Sequence, residues 1–166
     1  MANSSIIGKI KNKIIRGFIK DKEIIQAIDS PNIESPEKLI GTHIFDFHQN
    51  PFTINDVKTF ITIQVHIPQV YYKDDVNKSF VKSNLEIWII SHVNHMKVDN
   101  IPKVTDNRND YLSKLIDRKL NGKPDYGIGK LRLIVNIEGS YQQDYVYRKM
   151  IFEGLDLNNS LCGDGE

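Results

Sequence analysis

Five histidines are the residues of this 166-residue chain with the best chemistry for binding a metal ion. His92 and His95 stand three positions apart in a segment whose alternation is typical of a β-strand, so their side chains would leave opposite faces. His43 and His48 lie on either side of an apolar segment, and no grouping of Asp, Glu or Cys accompanies either pair at ligand spacing. We therefore expect ordinary surface histidines, no metal site and no cofactor.

Three further features have the composition of a reactive site but the wrong context. The segment 127–130 contains two glycines and a lysine, as a phosphate-binding loop does, yet it precedes a strand and lacks a following Ser or Thr. Asp74 and Asp75 are adjacent, so their carboxylates point apart and do not form a general acid–base pair. Cys162, the single cysteine, lies in a glycine-rich tail, which is a poor setting for a nucleophile. We expect no catalytic residues and no enzymatic activity.

The amino-terminal 30 residues have the periodicity of helices. Apolar residues recur every three or four positions over 6–18, which predicts an amphipathic helix capped by Ser4 or Ser5. Asp21 is placed to cap a second, short helix that ends near Pro31.

The face of the first helix opposite its apolar residues is basic. It carries Lys9, Lys11, Lys13 and Arg16. Such a face either contacts phosphate or a membrane surface, or it is only the solvated side of a core helix, which is the more common case.

The rest of the chain alternates largely with period two, as β-strands do. The predicted elements are one helical turn over 36–41, a short strand over 44–47, a strand over 57–67 ended by Pro68, a polar connection over 71–78, a strand over 80–96, a helix over 111–120 closed by Asn121 and Gly122, a strand over 131–137, a break at Gly139 and Ser140, and a strand over 145–157. We expect the last two strands to form an antiparallel hairpin.

Composition limits the chain to one domain. Hydrophobic residues make up 40% of it and charged residues 26%, which is enough apolar material for one buried core. The net charge of +1 excludes a strongly basic nucleic-acid binder, and no apolar run approaches the roughly 18 residues of a membrane span. The element order predicts one α+β domain over 1–157, with a helical segment over 1–30, a mainly antiparallel sheet and one long helix packed on one face. Residues 158–166 are expected to form a flexible or partner-docked tail.

The second long strand is apolar on both faces. Ile87 and Ile89 share one face while Trp88 and Ile90 share the other, so the second face must meet another helix, another sheet or a neighbouring subunit. Together with near-neutral charge, this pattern indicates contacts with identical neighbours. The residues predicted to contact a subunit or partner are Tyr71, Tyr72, Trp88, Ile90, Tyr145, Tyr147, Leu157 and Leu161.

The order of elements resembles that of the tail-terminator and tail-completion proteins of tailed bacteriophages, which are small α+β subunits that form rings at the head-proximal end of the tail. The likeness is carried by the alternating strands over 57–67 and 85–93, the helix over 109–120, and the final hairpin that ends over 147–158. It covers most of the chain from Val57 onward.

This resemblance implies a structural protein of the virion tail or neck, assembled in the host cytoplasm. It implies a homo-oligomeric ring, expected to be a hexamer, that caps the tail tube and joins it to neck or connector proteins. Phage DNA would pass through the ring, and no membrane would be involved. Loop lysines would face the lumen or remain solvated loop charges, and they are Lys73, Lys78, Lys123 and Lys130.

Other functions stay open. A head–tail connector or head-completion protein of the neck has the same size and α+β composition. A small nucleic-acid-binding regulatory protein would use the helix over 9–20 on phosphate, and salt-sensitive DNA binding by the monomer would support that function. An enzyme would need a convergent pocket, which no motif in the sequence indicates.

Overall fold

A computed structural model describes residues 5–31, 34–50, 56–72, 79–141 and 143–156 of the chain. In this part of the chain, three α-helices pack on one side of a five-stranded sheet, which confirms the predicted α+β class. The elements in chain order are α1 (Ser5–Ile19), α2 (Lys22–Ile28), a 3-10 turn (Pro36–Leu39), β1 (Ile44–Phe45), β2 (Thr59–Tyr72), β3 (Ser79–His92), a 3-10 turn (Val93–His95), α3 (Arg108–Leu120), β4 (Lys130–Tyr141) and β5 (Tyr145–Asp156).

The ends of the helices follow from local hydrogen bonds. At the start of α2, the Asp21 carboxylate accepts from the N–H of Glu23 at 3.1 Å. At the start of α3, the Asn107 side chain accepts from the N–H of Asp110 at 2.9 Å. Both bonds satisfy N–H groups that have no partner inside the helix. Gly122 follows α3 in the left-handed region with φ of 76°, as is typical after a helix.

The strand order across the sheet is β1-β2-β3-β5-β4. All neighbours pair antiparallel except β1 and β2, which pair parallel over two residues. The chain leaves β3 through α3, forms β4 at the edge, and returns to insert β5 between β3 and β4. The predicted hairpin of the last two strands is confirmed.

The core lies between the helices and one face of the sheet. Fully buried aliphatic and aromatic residues fill it, and each contributes on the order of 2 kcal/mol by leaving water. They include Ile14, Phe18, Ile24 and Ile28 from α1 and α2, Leu112, Ile116 and Leu120 from α3, and Ile61, Ile63, Leu85, Ile87, Ile89, Met150 and Phe152 from the sheet.

β2 is longer than the sequence pattern predicts. It continues past Pro68 to Tyr72, and its register against β3 shifts between His66 and Gln69. Pro68 cannot donate a hydrogen bond to the neighbouring strand, and the shift in register accommodates it. The expectation that Pro68 ends the strand is therefore wrong. Residues 71–72 belong to β2 instead of the predicted connection, and 73–78 lie outside the described residues.

β3 is shorter than predicted and ends at His92. The next three residues form a 3-10 turn, in which the N–H of Asn94 donates to His92 Nδ1 at 3.1 Å. His92 and His95 are therefore separated by a turn, and the reasoning that placed them on opposite faces of one strand does not apply.

β4 contains a bulge. Its register against β5 shifts between Leu133 and Val135, and Ile134 has no residue opposite it. Leu131 and Leu133 face the helices, whereas Val135 and Ile137 face the other side of the sheet. One extra residue reverses the faces of a strand, so the predicted unbroken alternation over 131–137 is wrong.

Candidate assembly surface

The sheet face that points away from the helices, here called the second face, carries a cluster of mostly aromatic side chains. Its buried members are Phe45, Phe60, Ile90 and Tyr145, and Trp88, Tyr141 and Tyr147 pack partly buried against them. The ring centroids of Trp88 and Tyr147 are 4.7 Å apart, and those of Tyr141 and Tyr147 are 5.6 Å apart. These tilted and edge-to-face contacts are favourable geometries for aromatic pairs.

Residues 45–48 cover one end of the cluster. The parallel pairing of β1 with β2 carries Phe45 into it. The His48 ring then lies 5.2 Å from the Trp88 ring, and His48 Nε2 is 3.2 Å from the Tyr141 hydroxyl. Phe47 packs on Phe45 but remains 52% exposed. The chain thus closes part of the second face itself and leaves the remainder open.

Gly139 makes room for Tyr147. The two residues are direct partners across β4 and β5, and a Cβ atom at position 139 would lie 2.5 Å from the Tyr147 hydroxyl oxygen. An aromatic ring lying across a strand glycine is a recognised way to fix a sheet register. The predicted break at Gly139 and Ser140 is therefore wrong, because both are strand residues.

A small ionic group holds Trp88 in place. Lys149 Nζ lies 3.2 Å from a Glu86 carboxylate oxygen and 4.8 Å from the centre of the Trp88 ring. The indole N–H of Trp88 donates to the same carboxylate, and His66 Nε2 is 3.8 Å from its other oxygen. The cation over the ring and the hydrogen bond fix the orientation of Trp88 on the second face.

The second face continues to the edge strand β4. Because of the bulge, Ile137 lies on this face with 52% of its surface exposed, and Ile134 is 46% exposed. Ile137 is the cross-strand neighbour of Lys149, which in turn is opposite Trp88. Among the described residues β4 pairs with no strand other than β5, and at its start the backbone of Leu131 and Leu133 hydrogen-bonds to residues 121–123 after α3. Beyond that start, β4 forms one edge of the sheet. We call the partly exposed residues Phe47, Trp88, Ile137, Tyr141 and Tyr147 the aromatic patch.

The structure brings four of the eight predicted contact residues to the second face. Trp88 and Tyr147 are partly exposed in the patch, whereas Ile90 and Tyr145 are buried beneath it. The contact role of the set stays a prediction. The other four are Tyr71 and Tyr72, whose backbone ends β2, and Leu157 and Leu161, which lie outside the described residues.

The sequence patterns missed three members of the aromatic patch. Ile137 and Tyr141 lie on the second face because the alternation of β4 restarts at Val135 after the bulge. No local pattern in the sequence indicates the bulge, so their face could not be predicted. Phe47 belonged to a predicted short strand, which in the structure ends two residues earlier, at Phe45.

Two of the four lysines predicted to face a lumen lie among the described residues. Lys123 is in the turn after α3 and Lys130 begins β4, and both are exposed. They lie near one another because the N–H of Leu131 donates to the Lys123 carbonyl at 3.1 Å. Lys73 and Lys78 lie outside the described residues, and the lumenal role of all four stays a prediction.

On the helix side of the sheet, Thr59, His95 and Asp29 have the residue types of a nucleophile, a base and an acid. Thr59 Oγ1 is 2.8 Å from His95 Nδ1, and His95 Nε2 is 3.7 Å from the Asp29 carboxylate. Burial and the nearby Arg108 lower the pKa of His95, which disfavours the charged form of its ring. Thr59 is fully buried, and its Oγ1 is hydrogen-bonded to Ser91 Oγ at 2.7 Å, so no substrate reaches it. The group joins the sheet to the helices and has a structural role.

No three His, Cys, Asp or Glu side chains come together as a metal site in the described part of the chain. His43 is 9% exposed and His95 is half-buried, so the expectation of ordinary surface histidines is wrong for these two. None of the described helices has the length and apolar character needed to cross a membrane.

Burial makes His43 a source of acid sensitivity. Burial, with the positive charge of Lys58 nearby, lowers its pKa from 6.5 to about 4. Between these values the unfolded chain binds a proton that the folded chain does not, so the free energy of unfolding decreases as the pH falls. We expect this histidine alone to remove about 2 kcal/mol between pH 7.5 and pH 5, measured by urea denaturation.

His43→Gln is the comparison for this measurement, because it removes the His43 imidazole and leaves the other titratable side chains in place. The variant should show the shallower pH dependence over this range. Parallel curves for the two proteins would contradict the assignment of the sensitivity to His43.

A family model, YomW, matches residues 12–153 of the chain. No curated protein matches the chain. Among solved structures, a chain from the "Virion of native gene transfer agent (GTA) particle" is similar, with 12% sequence identity, a TM-score of 0.46, and coverage of 85% of this chain and 96% of that chain.

Proposed function

The chain belongs to the YomW family, and we propose that it serves as a structural subunit of a phage virion. More specifically, we propose that it forms the ring of a tail terminator or tail-completion protein at the head-proximal end of the tail. The resemblance of its element order to those proteins supports the finer assignment.

One structural observation carries the proposal. All three described helices cover the same face of the sheet, while the aromatic patch on the second face stays partly exposed and runs to the edge strand β4. Exposed apolar surface of this kind marks a protein contact. Trp and Tyr, two of the residue types most enriched at contact hot spots, form its centre.

The arrangement suits a ring because its two sheet edges differ. One edge is the long strand β4, and the other is β2 flanked by the two-residue strand β1. A closed ring uses contacts between two different surfaces of each subunit, whereas a twofold dimer uses one surface twice. Contact of the aromatic patch with a different surface of the next copy would generate such a ring.

The test starts with the mass of the purified full chain, measured by sedimentation, followed by imaging. We expect a ring-shaped oligomer that associates with purified tail tubes. Ile137→Lys places a charge in the exposed part of the aromatic patch and should reduce the oligomer to monomers without loss of folded structure.

Val93→Lys is the matched control, because Val93 is also an exposed aliphatic residue, 41% exposed, but lies on the 3-10 turn after β3. It should leave the ring intact. A parent chain that is strictly monomeric and does not bind tail tubes would contradict the proposal. A ring that binds isolated heads and not tail tubes would instead support a connector or head-completion protein.

A further inference from the structure

Helix α1 exposes a straight line of positive charge. Lys9, Lys13 and Arg16 of α1, and Lys20 directly after its end, are exposed. They are spaced four, three and four positions apart, so they lie along one side of the helix. Ile14 and Phe18 face the opposite direction and are fully buried in the core. With a rise of about 1.5 Å per residue, the line of cations is roughly 16 Å long. We call these four residues the basic stripe.

The basic stripe has no counter-charge in the described part of the chain. None of its members takes part in an ion pair there. The nearest acidic residues in sequence are Asp21 and Glu23, and each is paired with a basic side chain of α3. The stripe therefore presents uncompensated charge to solvent.

Charge is strongly divided along the chain. Residues 1–20 contain five of the 22 basic residues and none of the 21 acidic ones, so they carry +5 and the rest of the chain carries −4. The overall value of +1 hides this division. A local basic surface of this strength attracts anions even when the whole protein is nearly neutral.

The shape of the stripe selects the kind of anion. Cations that bind a small anion converge on one point, whereas these four are spread along a line on a convex helix. Duplex DNA is a linear anion with one charge per about 1.7 Å of axis, which matches such a line. A membrane is a poorer fit, because the apolar face that would enter the bilayer is buried in the core.

We propose that the basic stripe of α1 binds the phosphate backbone of duplex DNA without sequence preference. Lys and Arg on flexible stems contact phosphates and read no bases, so the DNA remains free to slide. This surface differs from the loop lysines predicted to face a lumen. The inference goes beyond the proposed function and holds for a ring or for a single subunit.

The test measures binding of the full chain to a fluorescent duplex of about 30 base pairs and arbitrary sequence, by anisotropy, over a series of salt concentrations. Four phosphate contacts predict a slope of log affinity against log salt of about −3.6. In Lys13→Gln/Arg16→Gln the slope should fall to about −1.8, and the affinity at low salt should decrease at least tenfold. Circular dichroism confirms that the exposed substitutions leave the fold intact.

Lys103→Gln/Arg132→Gln is the matched control, since it removes one lysine and one arginine that are exposed and lie outside the stripe. It should bind like the parent. Equal loss in both double variants, or no salt-dependent binding by the parent, would overturn the proposal. If the stripe variant changes self-association but not DNA affinity, the stripe contacts an acidic surface of another copy and the proposal is also wrong. A monomer that binds DNA would contradict the ring and leave this proposal standing.

Discussion

Replacing Arg108 by methionine is expected to lower the free energy of unfolding by about 3–5 kcal/mol. The side chain is 2% exposed, and its guanidinium donates to the backbone oxygens of Ala27 and His95 at 2.6 Å and of Lys97 at 2.7 Å. It also donates to the Asp29 carboxylate at 3.1 Å. Methionine fills much of the same volume but has no donor, so these acceptors lose their partner in a buried setting.

The effect is large because Arg108 joins three separate segments. Its partners belong to the end of α2, to the 3-10 turn after β3, and to the loop that leads into α3, while Arg108 itself begins α3. A single point charge such as lysine cannot reproduce this planar set of donors. Arg108→Lys should therefore restore only part of the lost stability.

Urea denaturation of the full chain measures the change, with Lys114→Met as the control. Lys114 also pairs with a carboxylate, that of Asp106 at 2.6 Å, but it is exposed, so its loss should cost less than about 1 kcal/mol. Equal losses in the two variants would show that the Arg108 network contributes no more than a surface ion pair.

Gly154→Ala is the second substitution with a large expected effect. A Cβ atom at position 154 would lie 2.1 Å from the carbonyl oxygen of Ile128 and 3.1 Å from Ser83 Oγ. Ile128 is itself fully buried, so the loop after α3 crosses directly over β5 at this glycine. Backbone cannot move aside as a flexible side chain can, so we expect a loss of about 3 kcal/mol of stability, at the upper end of the usual range for overpacking.

Gly8→Ala is the matched control for this measurement. Gly8 lies in α1 with nothing within 4 Å of the added atom, and alanine is favoured over glycine in a helix by about 1 kcal/mol. The same chemical change should therefore stabilise the chain at Gly8 and destabilise it at Gly154. A small or favourable effect at Gly154 would mean that the loop does not hold its position over β5.

The sequence was sufficient to predict the elements whose signals are local. The Asp21 cap, the end of α3 just before Asn121 and Gly122, and the alternation of β2 and β3 all depend on neighbouring residues, and each agrees with the structure. The bulge in β4, which depends on pairing with the partner strand, was missed. Leu-Ile-Val over 133–135 is apolar in either register, so no property of those residues predicts that the bulge falls at Ile134.

Part of the candidate site could also be predicted from the sequence, and part of it could not. Period two correctly placed Trp88 and Ile90 on the face opposite Ile87. It could not show that the chain folds 45–48 over that face, because this depends on the parallel pairing of β1 with β2. The open part of the second face is therefore smaller than the pattern of β3 alone indicates.

The position of β5 in the sheet determines when this chain can fold during its synthesis. β5 is made after the other four described strands, yet it lies between β3 and β4 and pairs with both along its length. Until residues 145–156 leave the ribosome, β3 has one unpaired side and β4 has no neighbour among the described strands. We conclude that the sheet is completed only once residues 145–156 are available, and that the nascent chain is prone to aggregation until then.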